Sequence, residues 1–98
     1  MATYCFDLDE TLCTSINFDY AAAKPYVDRI GAVNKLFLEG NEIVIYTARG
    51  SKTGIDWEEL TIAQLSSWEL KYHSLEMGKP FADFYIDDKA INVADFRW

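Results

Sequence analysis

The sequence predicts a single α/β domain built around a mainly parallel sheet, and three observations support this prediction. Short apolar stretches alternate with amphipathic segments in the order strand, helix, strand, helix, strand. The apolar stretches lack the polar alternation of a half-exposed strand, which indicates strands covered on both faces. The length of 98 residues suits one domain, and half of the residues are apolar and can build its core. Together these features favour a three-layer, Rossmann-like arrangement over residues 1–98.

The predicted strands are short runs of β-branched and aromatic residues that end at polar or glycine-containing turns. They cover residues 2–8, 43–46 and 84–86. A very short strand is also expected at Tyr72–His73. In a parallel sheet the strands end at one common edge, where sheets of this kind bind their ligands.

Two predicted helices fill the gaps between the strands. The first begins near Pro25, which suits a first helical turn, and ends before Gly40. The second begins after Asp56, with Glu59 completing a capping box, and its apolar face runs to Trp68. Such helices provide the crossover connections that a parallel sheet requires.

The charge and cysteine content exclude several classes of protein. The chain has 9 basic and 16 acidic residues, a net charge of −7 and no basic stripe, so no nucleic-acid partner is expected. No apolar stretch is long enough to cross a membrane and no signal peptide is recognisable, so we expect no membrane partner and a cytoplasmic location. Cys5 and Cys13 match no disulfide framework or zinc pattern.

Polar residues that could carry chemistry follow the predicted strands. Asp7 and Asp9 lie two residues apart at the end of the first strand, which places both carboxylates on one face. Asp87–Asp88 follow the third strand. Carboxylates this close repel each other unless a cation joins them, and Mg²⁺ prefers such oxygen ligands. Thr47 after the second strand and Lys79 in a Gly-Lys-Pro turn add a hydroxyl donor and a positive charge.

Each of these signals also has an ordinary structural explanation. A pair such as Asp87–Asp88 commonly forms a turn or a helix cap, and Asp7–Thr11 alone is equally typical of a solvated loop. A threonine such as Thr47 commonly caps a helix or a turn, and a lysine such as Lys79 taken alone is most often an exposed turn residue. Arg49 would either touch a substrate anion or hold a structural position. The order and spacing of the signals are what point to one shared site.

In these motifs the chain resembles the haloacid dehalogenase-like (HAD) phosphatase superfamily. The four motifs are Asp-x-Asp-x-Thr at residues 7–11, an apolar strand leading into Thr47, the Gly-Lys-Pro turn around Lys79, and an apolar strand leading into Asp87–Asp88. They follow the family's order over residues 3–88. The motifs around Thr47 and Asp87–Asp88 are similar to those of small, capless members. The resemblance implies a minimal capless HAD core.

The resemblance also implies a two-step phosphoryl transfer. Asp7 would be the nucleophile and would form an aspartyl-phosphate. Asp9 would protonate the leaving oxygen and then activate water. Thr47 and the backbone N–H of Ala48 would hold the phosphoryl oxygens, and Lys79 would offset negative charge in the transition state.

The cofactor implied by the resemblance is Mg²⁺. Asp87 would bind it together with Asp7 and the backbone carbonyl of Asp9. Asp88 would bind through water or orient Lys79. An anionic nucleophile approaches an anionic phosphate only when cations lie between them, so a metal at this position is physically reasonable.

The gaps between the motifs are too short for a cap domain. Residues 12–24 would form a flap, with Ile16, Phe18 and Tyr20 available to contact substrate. The stretch 50–78 is used by one helix and its loops. Because an uncapped site excludes water poorly, we expect either a large substrate that covers it or a neighbouring subunit of a homo-oligomer that provides the lid.

The leading expectation is a Mg²⁺-dependent phosphomonoesterase acting on a small phosphorylated molecule such as a sugar phosphate. The alternatives are a phosphatase acting on a macromolecule, and a phospho-accepting or binding domain without turnover. Receiver domains also combine Asp, Thr and Lys, but their phosphorylated aspartate follows a middle strand, whereas Asp7 follows the first. That order favours the hydrolase.

Overall fold

Three parallel strands form the sheet in the computed structural model, which describes residues 1–98. Strand β1 spans Thr3–Asp7, β2 spans Glu42–Tyr46 and β3 spans Ser74–Glu76. The order is β1-β2-β3, with β2 in the centre and parallel to both neighbours. The predicted α/β domain with a parallel sheet is therefore confirmed.

Each crossover between neighbouring strands contains one helix. Helix α1 spans Val27–Leu38 and α2 spans Glu58–Ser67, and both lie close to their predicted positions. The N-cap position of α2 is Trp57 rather than Asp56, and no hydrogen bond from Glu59 completes the predicted capping box. Asp56 Oδ1 instead accepts a hydrogen bond of 3.0 Å from the N–H of Glu58. A short 3₁₀ turn at Tyr20–Ala22 interrupts the connection before α1. Neither helix has the length and apolar character required to cross a membrane.

The core lies on one face of the sheet. Ile43 and Ile45 are fully buried there, and the register places Tyr4 and Phe6 of β1 beside them. Both helices supply residues to the same cluster, which comprises Phe6, Leu8, Leu12, Cys13, Ile30, Val33, Ile43, Ile45, Leu65 and Leu70. Right-handed crossovers that move in the same direction across a sheet place their helices on the same face.

The opposite face of the sheet has no helix against it. Thr3 and Cys5 of β1 are exposed on that face, and Val44 of β2 is half-buried. The structure thus has one helical layer, and the second layer of the expected three-layer arrangement is not built by a helix. A short sheet with both helices on one side leaves this face accessible.

The C-terminal part of the chain departs most from the expectation. Residues 77–98 contain no helix or strand, so the predicted strand at residues 84–86 is not formed. A strand needs a neighbour for its backbone groups, and a parallel crossover takes about a dozen residues or more, whereas only residues 77–83 separate it from β3. The short strand expected at Tyr72–His73 lies instead at β3, directly after it.

Two aromatic residues near the C-terminus do pack back onto the sheet. The rings of Phe96 and Trp98 each lie 5.7 Å from the ring of Phe6, measured between centroids. The guanidinium of Arg29 in α1 lies 5.2 Å from the centre of the Trp98 ring. The chain end is therefore anchored on the helical face, while residues 84–91 stay exposed.

Candidate functional site

A cleft of about 360 Å³ lies at the carboxyl ends of β1 and β2. Six of the residues that line it carry or flank the first three sequence motifs, and these are Asp7, Asp9, Glu10, Ala48, Arg49 and Lys79. The parallel sheet brings these residues together because its strands end at the same edge. The structure therefore assembles the first three motifs around one opening.

Asp7 ends β1 and faces this cleft. The Lys79 ammonium lies 3.1 Å from Asp7 Oδ1, and the side chain of Asp7 is 31% exposed. The Thr11 hydroxyl donates a 3.2 Å hydrogen bond to the other carboxylate oxygen, Oδ2. Asp7 is thus oriented by two groups and remains accessible to a small ligand.

Lys79 is fixed at this position by its backbone and its side chain. Its N–H donates to the carbonyl of Thr47 at 3.1 Å, and its carbonyl accepts from the Ser51 hydroxyl at 2.6 Å. Its ammonium lies 4.5 Å from the ring centre of Tyr46 and 4.2 Å from that of Tyr85. Lys79 is therefore a positioned charge rather than a freely moving surface lysine.

Asp9 is bound by Arg49 in a two-pronged ion pair. Arg49 Nη2 lies 2.8 Å from Asp9 Oδ1, and Arg49 Nε lies 3.0 Å from Oδ2. The Arg49 side chain is completely buried, and that of Asp9 is 18% exposed. This geometry matches the planar guanidinium to both carboxylate oxygens, and fixes the carboxylate plane.

The remaining guanidinium donors of Arg49 connect the site to α2. Nη1 donates to Thr61 Oγ1 at 3.0 Å and to Gln64 Oε1 at 2.6 Å. The Arg49 guanidinium also stacks 4.8 Å from the Tyr20 ring centre, and Gln64 donates to the Tyr20 carbonyl. Arg49 therefore takes the structural position left open by the sequence. Sequence reasoning does not reveal that Thr61 and Gln64 bind Arg49. The one indication in the sequence is that two polar residues lie beside the apolar face of α2.

The turn after β1 holds the two aspartates apart and in place. The carbonyl of Leu8 accepts hydrogen bonds from the N–H groups of three residues, Thr11, Leu12 and Cys13, at 3.2, 2.8 and 3.3 Å. Glu10 takes a left-handed conformation with φ of 65°, which is uncommon for a residue with a side chain. The N–H of Asp9 in this turn donates no hydrogen bond within the chain. The N–H of Ala48 is free as well, so two donors are available for an anion in the cleft.

Thr47 does not line the cleft. It is 1% exposed, and its Oγ1 accepts a 3.1 Å hydrogen bond from the N–H of Arg49. The structure thus gives Thr47 the turn-capping role that the sequence allowed. Ala48 is the residue of this turn that reaches the cleft.

Gly50 closes the same turn in a conformation that only glycine suits. Its φ is +80°, and a Cβ atom built there would lie 2.1 Å from the carbonyl oxygen of Ile55. Any side chain would therefore displace the loop that carries Ala48 and Arg49.

Asp87 and Asp88 are not brought to this cleft. Both are exposed, and neither lines it. Asp87 Oδ1 instead accepts a 2.8 Å hydrogen bond from the N–H of Lys89, and this bond is the main cause that lowers the pKa of Asp87. The acidic pair of the fourth motif is thus separated from the other three motifs within one chain, although Tyr85 of the preceding stretch lines the cleft.

The carboxylates of a single chain do not by themselves fit Mg²⁺. No group of three or more His, Cys, Asp or Glu side chains is close enough to hold a metal ion. Asp7 and Asp9 are also each paired with a basic side chain. A Mg²⁺ site at this cleft would need further oxygen ligands from outside this set.

Burial next to Asp9 changes the acidity of two neighbouring groups. Burial, and then the charge of Asp9, raise the pKa of the Cys13 thiol to about 12. The same two causes, in the same order, raise the pKa of Tyr20. Cys13 therefore stays a neutral thiol that packs beneath the ion pair, rather than a nucleophile.

A second cleft of about 330 Å³ adjoins the first and shares Phe18, Tyr20, Ala48 and Phe81 with it. Trp57 and Ile55 add further apolar surface to the second cleft, and Lys52 adds the one charged side chain. Two of the three flap residues proposed for substrate contact, Phe18 and Tyr20, line both clefts, but Ile16 lines neither. The site thus consists of a polar cleft and an adjoining aromatic cleft.

Comparisons with known proteins give one strong likeness. No protein-family model matches the sequence, and no curated protein matches it. The crystal structure of an MCSG target protein from Vibrio cholerae matches with a TM-score of 0.86 and 30% sequence identity. The match covers 96% of this chain and 85% of that one.

The chain belongs to the same family as this Vibrio cholerae protein. The name of that relative states no activity. The likeness therefore establishes the fold and the kinship, and the function has to be argued from the site.

Proposed function

We propose that the protein is a phosphomonoester hydrolase in which Asp7 is the nucleophile, and that its substrate is a small molecule such as a sugar phosphate. The observation that carries the proposal is the pairing of an accessible Asp7 carboxylate with the positioned Lys79 ammonium, 3.1 Å away, in one cleft. The resemblance of the four motifs to HAD-like phosphatases supports it, as does the position of the first three motifs at one sheet edge.

In the first step an Asp7 oxygen attacks phosphorus, and the bond from phosphorus to the leaving alcohol breaks. The product on the protein is an aspartyl-phosphate. Lys79 offsets the negative charge that gathers as the two anions meet, and the Thr11 hydroxyl keeps the carboxylate oriented. Positioning and charge neutralisation are the main requirements of phosphoryl transfer.

Free backbone donors in the cleft can hold the transferred group. The N–H groups of Asp9 and Ala48 have no partner within the chain. Both belong to residues that line the cleft, so both can donate to phosphoryl oxygens. Thr47 supports this arrangement through its hydrogen bond to the N–H of Arg49.

Asp9 handles the protons. It gives a proton to the leaving oxygen in the first step. In the second step water attacks phosphorus while Asp9 takes its proton, the bond from phosphorus to the Asp7 oxygen breaks, and inorganic phosphate leaves with the Asp7 carboxylate restored. Asp9 Oδ1 accepts from Arg49 Nη2 and from the Cys13 thiol, whereas Oδ2 accepts only from Arg49 Nε. A carboxylate oxygen has two lone pairs, so Oδ2 can still bind a proton. Arg49 is a positioning residue in this scheme because it acts only through Asp9.

The adjoining aromatic cleft can hold the leaving group of a small substrate. Tyr20 and Trp57 present their rings 5.2 Å apart at its wall, and a sugar or another ring can pack against such surfaces. The net charge of −7 makes a nucleic-acid end a poor substrate, since its backbone would be repelled.

The direct test of the proposal is the hydrolysis of a generic aryl phosphate, with Mg²⁺ and with EDTA. We expect Asp7→Asn to lower kcat by about 10⁴-fold or more, because it removes the nucleophile. Asp28→Asn, a change at an exposed aspartate in the first turn of α1, should leave the rate unchanged. Equal rates in Asp7→Asn and the unaltered protein would contradict the proposal.

One observation favours a second candidate, a phospho-accepting domain without turnover. Arg49 donates to both oxygens of Asp9, so an attacking water would have to compete with the guanidinium for the same carboxylate. Phosphorylated Asp7 would then persist. The two candidates differ in the lifetime of the phosphoprotein, which can be followed by mass spectrometry after a pulse of acetyl phosphate.

A further inference from the structure

The segment Phe84–Ile86 exposes a continuous apolar stretch. The side chains of Phe84 and Ile86 are 83% and 99% exposed, and that of Tyr85 is about half exposed. Single exposed apolar residues are common on proteins, but adjacent ones usually mark a surface that another group covers. Aromatic and β-branched residues also have a preference for packing on a neighbouring strand. The composition of the segment is thus typical of a β-strand, but the segment pairs with no other strand.

Strand β1 lies at the edge of the sheet, and its outer side has no neighbouring strand. It pairs with β2 on one side, and no backbone hydrogen bond from elsewhere in the chain reaches Thr3–Asp7 on the other. Proteins usually protect open edges with lysine, proline or a bulge, and the β1 sequence Thr-Tyr-Cys-Phe-Asp contains no lysine or proline. An unprotected edge of this kind readily accepts another strand.

The segment cannot join this edge in parallel within its own chain. Only residues 77–83 separate it from β3, and a parallel crossover takes about a dozen residues or more. Lys79 shortens the usable connection further, since its N–H and carbonyl are both bound at the end of β2. A second copy of the chain has no such restriction.

We propose that Phe84–Ile86 of one copy adds in parallel to the free edge of β1 in a second copy, and that the exchange is reciprocal. The occupant of the edge is thus a second copy of this chain. A two-fold exchange closes on itself and covers both exposed segments. The docking gives up the contact of Tyr85 with Lys79 of its own chain.

The side-chain alternation selects one register. Ile86 beside Phe6 places Ile86 and Phe84 on the face where the core lies, and a slip by one residue would turn both to the open face. In this register Tyr85 lies beside Cys5, and the partner's Asp87 lies beside Asp7. The acidic pair that one chain leaves outside its cleft then enters the cleft of the other.

The exchanged dimer would gather more carboxylates in each cleft than the basic side chains there can balance, which favours the binding of a cation. Within one chain the charges of Asp7 and Asp9 are matched by Lys79 and Arg49. The partner's two carboxylates would add unbalanced negative charge, and Mg²⁺ both offsets such charge and prefers such ligands. The exchange of strands does not depend on the proposed function. Only a catalytic role of this cation rests on that function. Mg²⁺ should therefore stabilise the dimer by binding to it.

A disulfide between copies tests the register directly. Cys5 is exposed and Cys13 is buried, so Tyr85→Cys adds a second accessible thiol at the position that would face Cys5. Neighbouring parallel strands lie about 4.8 Å apart, within the range of a disulfide. We expect oxidised Tyr85→Cys to run as a covalent dimer on a non-reducing gel.

Matched controls make this result specific. The unaltered protein, Tyr85→Cys with Cys5→Ser, and Leu38→Cys at an exposed site on α1 should all remain monomeric on the same gel. A disulfide within one chain, which runs as a fast monomer, would overturn the proposal. So would the absence of any disulfide in Tyr85→Cys.

Analytical sedimentation measures the oligomeric state and does not depend on any reaction at the site. We expect the protein to be a dimer that Mg²⁺ tightens, Ile86→Asp to be a folded monomer by circular dichroism, and Leu38→Asp to remain a dimer. A monomeric unaltered protein, or a dimeric Ile86→Asp, would overturn the proposal. Failure of the proposed function would leave these measurements unaffected.

Mixing two inactive variants connects the assembly to the site. Asp7→Asn and a double variant, Asp87→Asn with Asp88→Asn, should each be inactive alone. After co-refolding, about a quarter of the sites would combine an intact Asp7 with the partner's intact acidic pair. Recovery of about a quarter of the activity of the unaltered protein supports exchange. No recovery, where the unaltered protein is active, would overturn it.

Discussion

Arg49 joins β1, β2 and α2 in one buried network. Its guanidinium binds Asp9, Thr61 and Gln64 and lies over the ring of Tyr20. A buried pair of this kind contributes little compared with an apolar substitute, but the loss of one partner leaves the other charge unpaired. The residue therefore matters for the integrity of the site as well as for its chemistry.

Arg49→Ala should lower the free energy of unfolding by about 3–5 kcal/mol, because Asp9 and two polar side chains lose their partner. Urea unfolding measures this change. Arg97→Ala, at an exposed arginine, should change the free energy by less than about 0.5 kcal/mol. A cost for Arg49→Ala that equals the control would show that the network does not hold the fold.

Cys13 should make the stability depend on alkaline pH. Its pKa rises from 9.0 to about 12 on folding, because it is buried and lies beside Asp9. Between these values the folded state holds a proton that the unfolded state has lost, so stability falls as the pH rises from 9 towards 12.

From pH 8.5 to 10.5 this group should account for a loss of about 2 kcal/mol in unfolding free energy. Cys13→Ala should lack that part of the loss, whereas Cys5→Ala, at an exposed thiol, should retain it. Urea titrations at the two pH values compare the slopes. The idea fails if all three proteins lose the same amount.

At the scale of elements, the flap formed by residues 12–24 is tied down at its base and near its tip. The N–H of Thr14 donates to the Lys24 carbonyl at 2.8 Å, and the N–H of Lys24 donates back to the Thr14 hydroxyl at 2.9 Å. Near the tip, Tyr20 packs edge-on against Trp57 and accepts from Gln64. Between these ties, residues 16–19 are exposed.

Trp57→Ala should loosen the tip of the flap and leave its base in place. An aromatic pair of this kind contributes about 0.5–1.5 kcal/mol, so the amides of Ala22 and Ala23 should exchange about 2–10-fold faster. Hydrogen exchange followed by NMR measures the rates. The Thr14 amide should be unaffected, and Ile62→Ala, at a partly exposed site on α2, serves as the control. Unchanged rates at Ala22 and Ala23 would mean that Trp57 does not restrain the flap.

The sequence predicts the elements with local signals and misses those that depend on distant partners. Helix α1 lies between Pro25 and Gly40 as expected, because caps and breakers act on adjacent residues. The stretch at 84–86 has the composition of a strand, but that preference is realised only on a neighbour, and one chain offers none in reach. The same limit applies to Arg49, whose partner Asp9 is 40 residues away in sequence.

The site was predictable to a similar degree. The rule that ligands bind beyond the carboxyl ends of parallel strands places Asp7, Asp9, Ala48 and Lys79 in one cleft. The orientation of Thr47 was not predictable, because its hydroxyl can cap the turn or face the cleft with the same sequence. Its burial is what distinguishes the two.

At the scale of the whole molecule, the helices occupy one face of a three-stranded sheet, and both the other face and the β1 edge stay open. The cleft holds two carboxylates with their basic partners, and a second acidic pair lies outside it. Within one chain, no three of these carboxylates lie close enough together to hold a metal ion. The exchange that we propose between two copies would cover the β1 edge and bring the second acidic pair into the cleft.

Asp7 is the residue that we propose to receive the phosphoryl group. Beryllium fluoride mimics a phosphoryl group on an aspartate, and its bound fluorines can be observed by ¹⁹F NMR without any knowledge of the substrate. With Mg²⁺ present, we expect bound signals in the unaltered protein and in Asp28→Asn, and none in Asp7→Asn. Bound signals that persist in Asp7→Asn would contradict the account, as would their absence from the unaltered protein.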